Sequence, residues 1–431
     1  MKRNNFPVII LAGMMMVYIC IFGGLSLLRH ESLHSTYLDL GLESQSIWNT
    51  AKGRFLEVSF GENGETISAL SYHVSPIVLF LTPLYWLGFG VAGLLIFQTV
   101  VLALGALPVF WLARDRLKNS YFALAVSAVY LLYPPLQYAN LSDFHPQTLA
   151  TPLLLFIFYF LSRKMWRRFF LFFFLSLMVK ENISLTLVAI GLFMIFNLKE
   201  RKNGLFVLIF SFVWFALAVF WLMPLFSGGQ MGALGRYEYL GKTPGEIMAR
   251  LVTDPIGDLR LLLVLPKIKY LFHLLVSVGF LPLLAPAALL VALPELALNL
   301  FSAYNPMWQV KFHYVSAITP VIFISAIFGL SYLHRLIERR GSGRWIVSGP
   351  RLSIIYLLSV ALFWNYLHSP SPLSRTFNPE QYMVTSESKE TLKALKMIPE
   401  SASVSAMNNL GAHLSERRFL WRFPIGFDLA D

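Results

Sequence analysis

Residues 147–226 read QTLATPLLLFIFYFLSRKMWRRFFLFFFLSLMVKENISLTLVAIGLFMIFNLKERKNGLFVLIFSFVWFALAVFWLMPLF. Four apolar runs, 147–162, 168–180, 183–198 and 205–226, are separated by short charged turns, and two of those turns are strongly basic: Arg163, Lys164, Arg167 and Arg168, then Lys199, Arg201 and Lys202. A helix needs about 20 apolar residues to cross a bilayer, and fewer where it ends in a protein-lined cavity. A run that is nearly all Phe and Leu, as 168–180 is, has no polar face to turn toward water. The stretch therefore predicts membrane-crossing helices whose basic turns share one side.

The same alternation extends in both directions. Further spans are expected near 6–28, 92–112, 120–137, 268–285, 286–302, 315–334 and 352–367, which makes about eleven. Further basic clusters lie at Arg114, Arg116 and Lys118 and at Arg335, Arg339, Arg340, Arg344 and Arg351. By the positive-inside rule all the clusters are cytoplasmic, which puts the amino terminus inside and the tail after Leu367 outside. Composition agrees: of 431 residues 56% are hydrophobic and only 13% charged, with mean hydropathy +0.62, more apolar side chain than a water-soluble core can bury. A net charge of +12 in a soluble protein would suggest nucleic acid. Here the cations sit in clusters between apolar runs, and no nucleic-acid partner is expected. Cys20 is the single cysteine and lies inside an apolar run, so there is no disulfide framework. The first run follows Lys2 and Arg3 like a signal peptide, but it is too long for one and lacks a small-x-small cleavage site, so a retained helix is expected.

The stretch His73–Gly88 resists simple counting. It is apolar, yet if it crossed, every later basic cluster would invert. It is read as a re-entrant or interfacial helix on the outer side, shaped by Pro76 and Pro83. The domain reading is then a transmembrane domain over 1–367, with a first outer loop and interfacial helices at 29–91 and an outer lid at 227–265. The lid is Gly-rich from Ser227 to Gly235 and amphipathic from Gly245 to Leu265. Residues 368–431 read as a small extracytoplasmic α/β appendage, open as to completeness, with a helix-like Lys389–Met397, a strand-like Ala402–Ala406 and turns at Asn408–Asn409. The fold class is an all-α polytopic membrane protein of the plasma membrane. No internal repeat is evident, which disfavours a secondary transporter.

With this topology the polar residues that look out of place gather at the outer face. Asp39 and Glu43, in YLDLGLESQSIWN (37–49), are one helical turn apart and share a face. A carboxylate there can take a proton from an acceptor hydroxyl or stabilise a sugar cation, or merely cap a helix. His73 precedes the interfacial helix. Asp143 and His145, in NLSDFHP (140–146), can bind phosphate, shuttle a proton or cap the loop before Pro146. They lack the helical spacing of a clear zinc motif, so no cofactor is assigned and a divalent metal stays open. Lys180 and Glu181 either mark a tight hairpin or are charges held near hydrocarbon for use. Lys311, His313 and Tyr314, before a late span, either hold a phosphate leaving group or form an aromatic belt with a snorkelling lysine. Glu295 with Asn299 is the best mid-span ionisable candidate.

These residues, in this order, resemble the GT-C superfamily of membrane glycosyltransferases, in which a carboxylate of the first outer loop is the expected catalytic residue. Asp39 matches that place. More closely, Asp39-Leu-Gly, Trp48-Asn, Gly53-Arg-Phe, His73-x-Ser-Pro76, Leu104-Gly-Ala-Leu-Pro108, Phe144-His-Pro146, Lys180-Glu181 and Ala402-Ser-Val-Ser-Ala406 resemble, over nearly the whole chain, a family of membrane proteins catalogued as domain of unknown function 2079. The first loop has no Asp-Glu dipeptide of the protein mannosyltransferase kind, and no Trp-Trp-Asp signature occurs. The resemblance implies a GT-C-like bundle that takes a sugar from a polyprenyl-phosphate donor at the outer face, to a glycan, lipid or protein acceptor. Asp39 would be catalytic, and Glu43, His73, Asp143, His145, Glu181, Lys311, His313 and Tyr314 would bind substrate. A lipid-linked glycan flippase or a non-catalytic scaffold of the same fold are the alternatives.

Overall fold

A computed structural model describes residues 5–60, 64–228, 232–340 and 344–431. Lys2, Arg3, part of the Ser227–Gly235 run and the side chains of Arg340 and Arg344 lie outside the described residues. The chain is mostly helical, with two small two-stranded sheets among the described residues. Among the described residues five helices are long and apolar enough to cross a membrane: Phe6–Glu31, Gly90–Leu117, Arg201–Ser227, Ile318–Arg339 and Gly349–His368. A sixth arises if Ser120–Leu131 and Pro134–Leu141, bent by 45°, form one span.

The eleven expected spans thus become five or six full-length helices and a set of shorter apolar ones, including Pro146–Ser162, Ile183–Phe196 and Pro286–Leu300. Proline explains much of the difference. Pro134, Pro146, Pro286 and Pro294 each stand in the first turn of a helical element, where a ring without an N–H starts a helix but cannot continue one. The run expected over 268–285 is a helix only over Leu265–Val276, after which Phe280 turns at φ 56° into a 3-10 turn. Pro76–Leu81 and Thr82–Trp86 together form a short, two-part helix, and Trp86 and Leu87 are exposed at its end. The amphipathic part of the lid is two helices, Pro244–Thr253 and Pro255–Leu262, each started by an oxygen of Thr243 or Asp254 that accepts a first-turn N–H.

Packing is what membrane spans require. Arg201–Ser227 buries little of its length and presents Phe206, Ile209, Phe212 and Trp221 outward. It lies against Ile183–Phe196 where Gly191 faces Gly204: a Cβ on Gly191 would sit 2.8 Å from the Leu208 amide nitrogen, so only small residues permit this approach. The basic turns converge at one end of the bundle, where Arg163 pairs with Asp115 at 3.4 Å and Lys164 with Glu200 at 2.6 Å.

Residues 37–60 and 64–72 pack against the tail. Tyr37 donates its hydroxyl to the carbonyls of Leu420 (2.7 Å) and Ser59 (3.0 Å), and Gln45 donates to that of Arg418 (2.9 Å). The Tyr37 side chain is clasped by Gly41 and Gly411: a Cβ on either would come within 2.8 Å of one of its carbons. Tyr37, Leu42 and Val58 share a core with Ala406, Leu414 and Leu420. The tail's helix runs Ser386–Leu395, its strand Val404–Ala406 pairs in parallel with Leu420–Arg422, and Asn408–Gly411 is a helical turn.

Candidate functional site

A cavity of about 720 Å³ opens beside the Asp39 loop. Asp39, Glu43, His73, His145, His313 and Tyr314 line it, brought together from four separate chain segments. Tyr37–Gly41 is a single π-helical turn that runs on into the helix Leu42–Ala51, so Asp39 and Glu43 project from consecutive turns.

Asp39 does not cap a helix. Its carboxylate accepts from Thr36 Oγ1 at 3.0 Å and from His145 Nε2 at 3.2 Å, and its side chain remains 48% exposed to the cavity. Burial alone would raise its pKa, but the His145 hydrogen bond and charge, the Thr36 hydroxyl and Arg29 bring it below the usual value. Burial pulls His145 the other way, and Asp39, Asp143 and Glu43 together overcome it and raise the imidazole above its usual range. The two form an ion pair. His145 stacks on His313 with ring centroids 3.5 Å apart, and burial with the neighbouring basic groups His145, Lys180, His73 and Arg236 drives His313 well down, so the second ring is neutral.

Glu43 differs from Asp39 in one respect that matters: among the described residues nothing donates a hydrogen bond to its carboxylate. Burial, with a contribution from Asp39, pushes its pKa up to about 7, although His145 and Lys180 pull it down.

Two expected site residues stand behind the wall. Asp143 is buried at φ 64°, ion-paired to Arg29, and accepts the Thr36 backbone N–H at 3.0 Å, so it anchors the start of the Asp39 turn and does not line the cavity. Glu181 accepts from the Val74 N–H at 2.9 Å and from His73 Nδ1 at 3.1 Å, and so holds His73 in place. Burial would raise its pKa, yet His73, Lys180 and the Val74 amide hold it at about 2. Lys311 is exposed and does not line the cavity.

Besides His145, the basic side chains that carry charge at the cavity are, among the described residues, Lys180 and Arg236. The sequence offers Lys180, with Glu181, as either a hairpin mark or a charge held for use, and gives no sign of Arg236. Lys180 donates to Gln147 Oε1 at 3.4 Å, and Arg236 lies over the Tyr304 ring at 5.1 Å. Also missed was Gln98, buried in the Gly90–Leu117 helix. It donates to the carbonyls of Asn140 (3.0 Å) and Asp143 (2.9 Å) and accepts from the His145 N–H (3.0 Å) and the Thr148 hydroxyl (2.9 Å). The signal was a lone amide in an apolar span, a costly placement unless it serves something. Glu295 is enclosed, accepting from Gln147 at 3.0 Å and from Asn182 at 2.8 and 2.9 Å. Asn299 binds the Tyr270 hydroxyl and the Tyr314 carbonyl. Among the described residues no group of three or more His, Cys, Asp or Glu side chains is placed to hold a metal.

A bundle of lipid-facing apolar helices with a charged cavity at one end makes this an integral membrane protein. The chain belongs to the family described as predicted membrane protein, domain of unknown function 2079 (DUF2079), whose model matches residues 29–431. No curated protein matches it.

Proposed function

We propose that this protein is a GT-C-like glycosyltransferase that moves a sugar from a polyprenyl-phosphate donor to an acceptor at the extracytoplasmic face of the cell membrane. The observation that carries this reading is the charge layout of the cavity. The half-exposed carboxylate of Asp39, held by His145, shares one cavity of about 720 Å³ with two cations, Lys180 and Arg236. A glycosyl phosphate carries both complements: an anomeric carbon that becomes cationic as its bond breaks, and a phosphate that leaves with added negative charge. Arg binds phosphate through a planar fork and Lys as a point charge. His73, His313 and Tyr314 would orient the donor and acceptor. The lipid chain would lie along the apolar helices, near Phe226 at the cavity edge.

The basic turns tied together by Arg163–Asp115 and Lys164–Glu200 support this orientation, since the positive-inside rule favours the cytoplasm for such clusters. In this reading residues 1–367 form the transferase bundle and 368–431 an extracytoplasmic appendage. The flippase alternative needs a mid-span carboxylate open to cargo, and Glu295 is closed off by Gln147 and Asn182.

The test is reconstitution in liposomes with polyprenyl-phosphate donors carrying radiolabelled hexose or pentose. Release of polyprenyl phosphate, slowed but not abolished in Asp39→Asn, is expected. A well-folded protein that turns over none of these donors would refute the reading.

A further inference from the structure

We infer that Glu43, and not Asp39, is the group that takes the proton from the acceptor hydroxyl, while Asp39 is the fixed charge beside the developing sugar cation. The inference rests on the transfer reading above.

A proton acceptor needs a lone pair that faces the substrate and is not already committed. In Asp39 one oxygen accepts from His145 and the other from Thr36, and the imidazolium balances its charge. Such a carboxylate is a weak base, and it is well suited to stay ionised. Glu43 stands one helical turn on, lines the same cavity, and accepts no hydrogen bond from any described residue. It also lines a small cleft beneath, with Ser46, Tyr72 and Ser75. The charged and titratable groups around it come from every element that packs there: Asp39 from its own turn, His145 from the 142–148 loop, Lys180 from the 178–182 turn, Tyr72 and His73 from the segment before Pro76, and Tyr85 from Thr82–Trp86. Their net effect supports the geometry, since Glu43 titrates near 7 while Asp39 lies below its usual value. Two neighbouring carboxyls driven apart in this way mark a division of roles, and a base works best with a pKa near the working pH.

The step balances as follows. The acceptor O–H bond breaks and its proton passes to a Glu43 carboxylate oxygen. The acceptor oxygen bonds to the anomeric carbon, and the bond from that carbon to the phosphate oxygen breaks. The electron pair leaves with polyprenyl phosphate, whose charge meets Lys180 and Arg236.

The experiment uses the full chain in phosphatidylglycerol vesicles, with polyprenyl-phosphate hexose as donor and water and lipid glycerol hydroxyls as acceptors, followed from pH 5 to 9. Wild type should show a rate that rises through about pH 7. Glu43→Gln should lose about 10²–10⁴ in rate together with that rise. Asp39→Asn should lose rate but keep the rise, and Glu43→Asp should keep a displaced rise at reduced rate. Gel filtration and melting temperature establish that each variant folds. Should Glu43→Gln not fold, an unaltered rate and unaltered rise in Glu43→Asp would overturn the inference. Wild-type turnover whose pH rise survives in Glu43→Gln, or disappears in Asp39→Asn, overturns the role of Glu43 alone. No turnover by wild type at any pH overturns the transfer reading, and this inference with it.

Discussion

Replacing Gln98 with Leu should release the loop that carries His145 while leaving the rest of the bundle in place. The side chain spends both N–H bonds on the carbonyls of Asn140 and Asp143, and its oxygen on the His145 N–H and the Thr148 hydroxyl. Leu fills similar volume and supplies none of these bonds. Thr148 keeps a second partner in the His145 carbonyl at 2.7 Å, but the His145 N–H is stranded. A buried polar group left without a partner costs about 1–3 kcal/mol, so one stranded N–H and two weakened carbonyls should cost about 3 kcal/mol. At about 1.4 kcal/mol per tenfold, that is roughly a hundredfold rise in local opening. Hydrogen–deuterium exchange of a peptide spanning 140–149 reads this directly, and a peptide over the Leu420–Arg422 strand serves as the control that should not change. Gln98→Glu tests the chemistry further: it keeps the acceptor but loses both donors and sets a carboxylate against two carbonyls, so polarity alone should not restore protection. Wild-type exchange over 140–149 in folded Gln98→Leu would refute the role assigned to Gln98.

How much of this could be read beforehand depends on the range of the interaction. The bundle was legible because lipid exposure is a property of local composition: Phe-rich 168–180 and 205–226 give themselves away within a window of twenty residues. The number of crossings was less legible, because whether Pro134 or Pro286 starts a new helix or kinks an old one depends on what packs across from it. In the cavity, Asp39, Glu43, His73, His145, His313 and Tyr314 could be picked out as polar residues at span ends. Their roles could not, since Asp143 and Asp39 look alike in sequence and differ only because Arg29, 114 residues from Asp143, takes one of them. The same applies to the cations. Lys311, beside Trp308 and His313, has the more suggestive neighbours in sequence, yet Arg236, at the edge of the lid, is the one that turns into the cavity. Tyr37 contacts Leu420 across 383 positions, so the tail's seat on the first loop had no local signal.

The Asp39–His145 ion pair has a definite pH window. The His145 contribution is complete below the usual imidazole value of 6.5 and is lost as pH rises through its raised pKa; the Asp39 contribution is complete above 3.8 and is lost as pH falls through its lowered one. In histidine NMR the His145 ring should titrate above 6.5 and fall in Asp39→Asn; an unmoved titration would dissolve the pair. Glu181→Gln should lower the melting temperature at neutral pH by forfeiting a buried charge-assisted pair worth about 1.5–3 kcal/mol. Because Glu181 is held at about 2, the deficit should stay full down to about 4.5 and close only toward pH 2; a deficit that vanishes at pH 5 would contradict that. The last prediction concerns orientation. In a Cys20→Ser background, Leu373→Cys in the tail, 84% exposed, should react with a membrane-impermeant maleimide on intact cells, whereas Arg167→Cys should react only after permeabilisation. The tail and Asp39 lie together, through the Tyr37–Leu420 contact, so whichever face labels the tail also holds the cavity. If Arg167→Cys labels from outside instead, the cavity opens to the cytoplasm. Nucleotide sugars are available there, the requirement for a lipid-borne donor disappears, and the donor class proposed here falls even if Asp39 and Glu43 keep their chemistry.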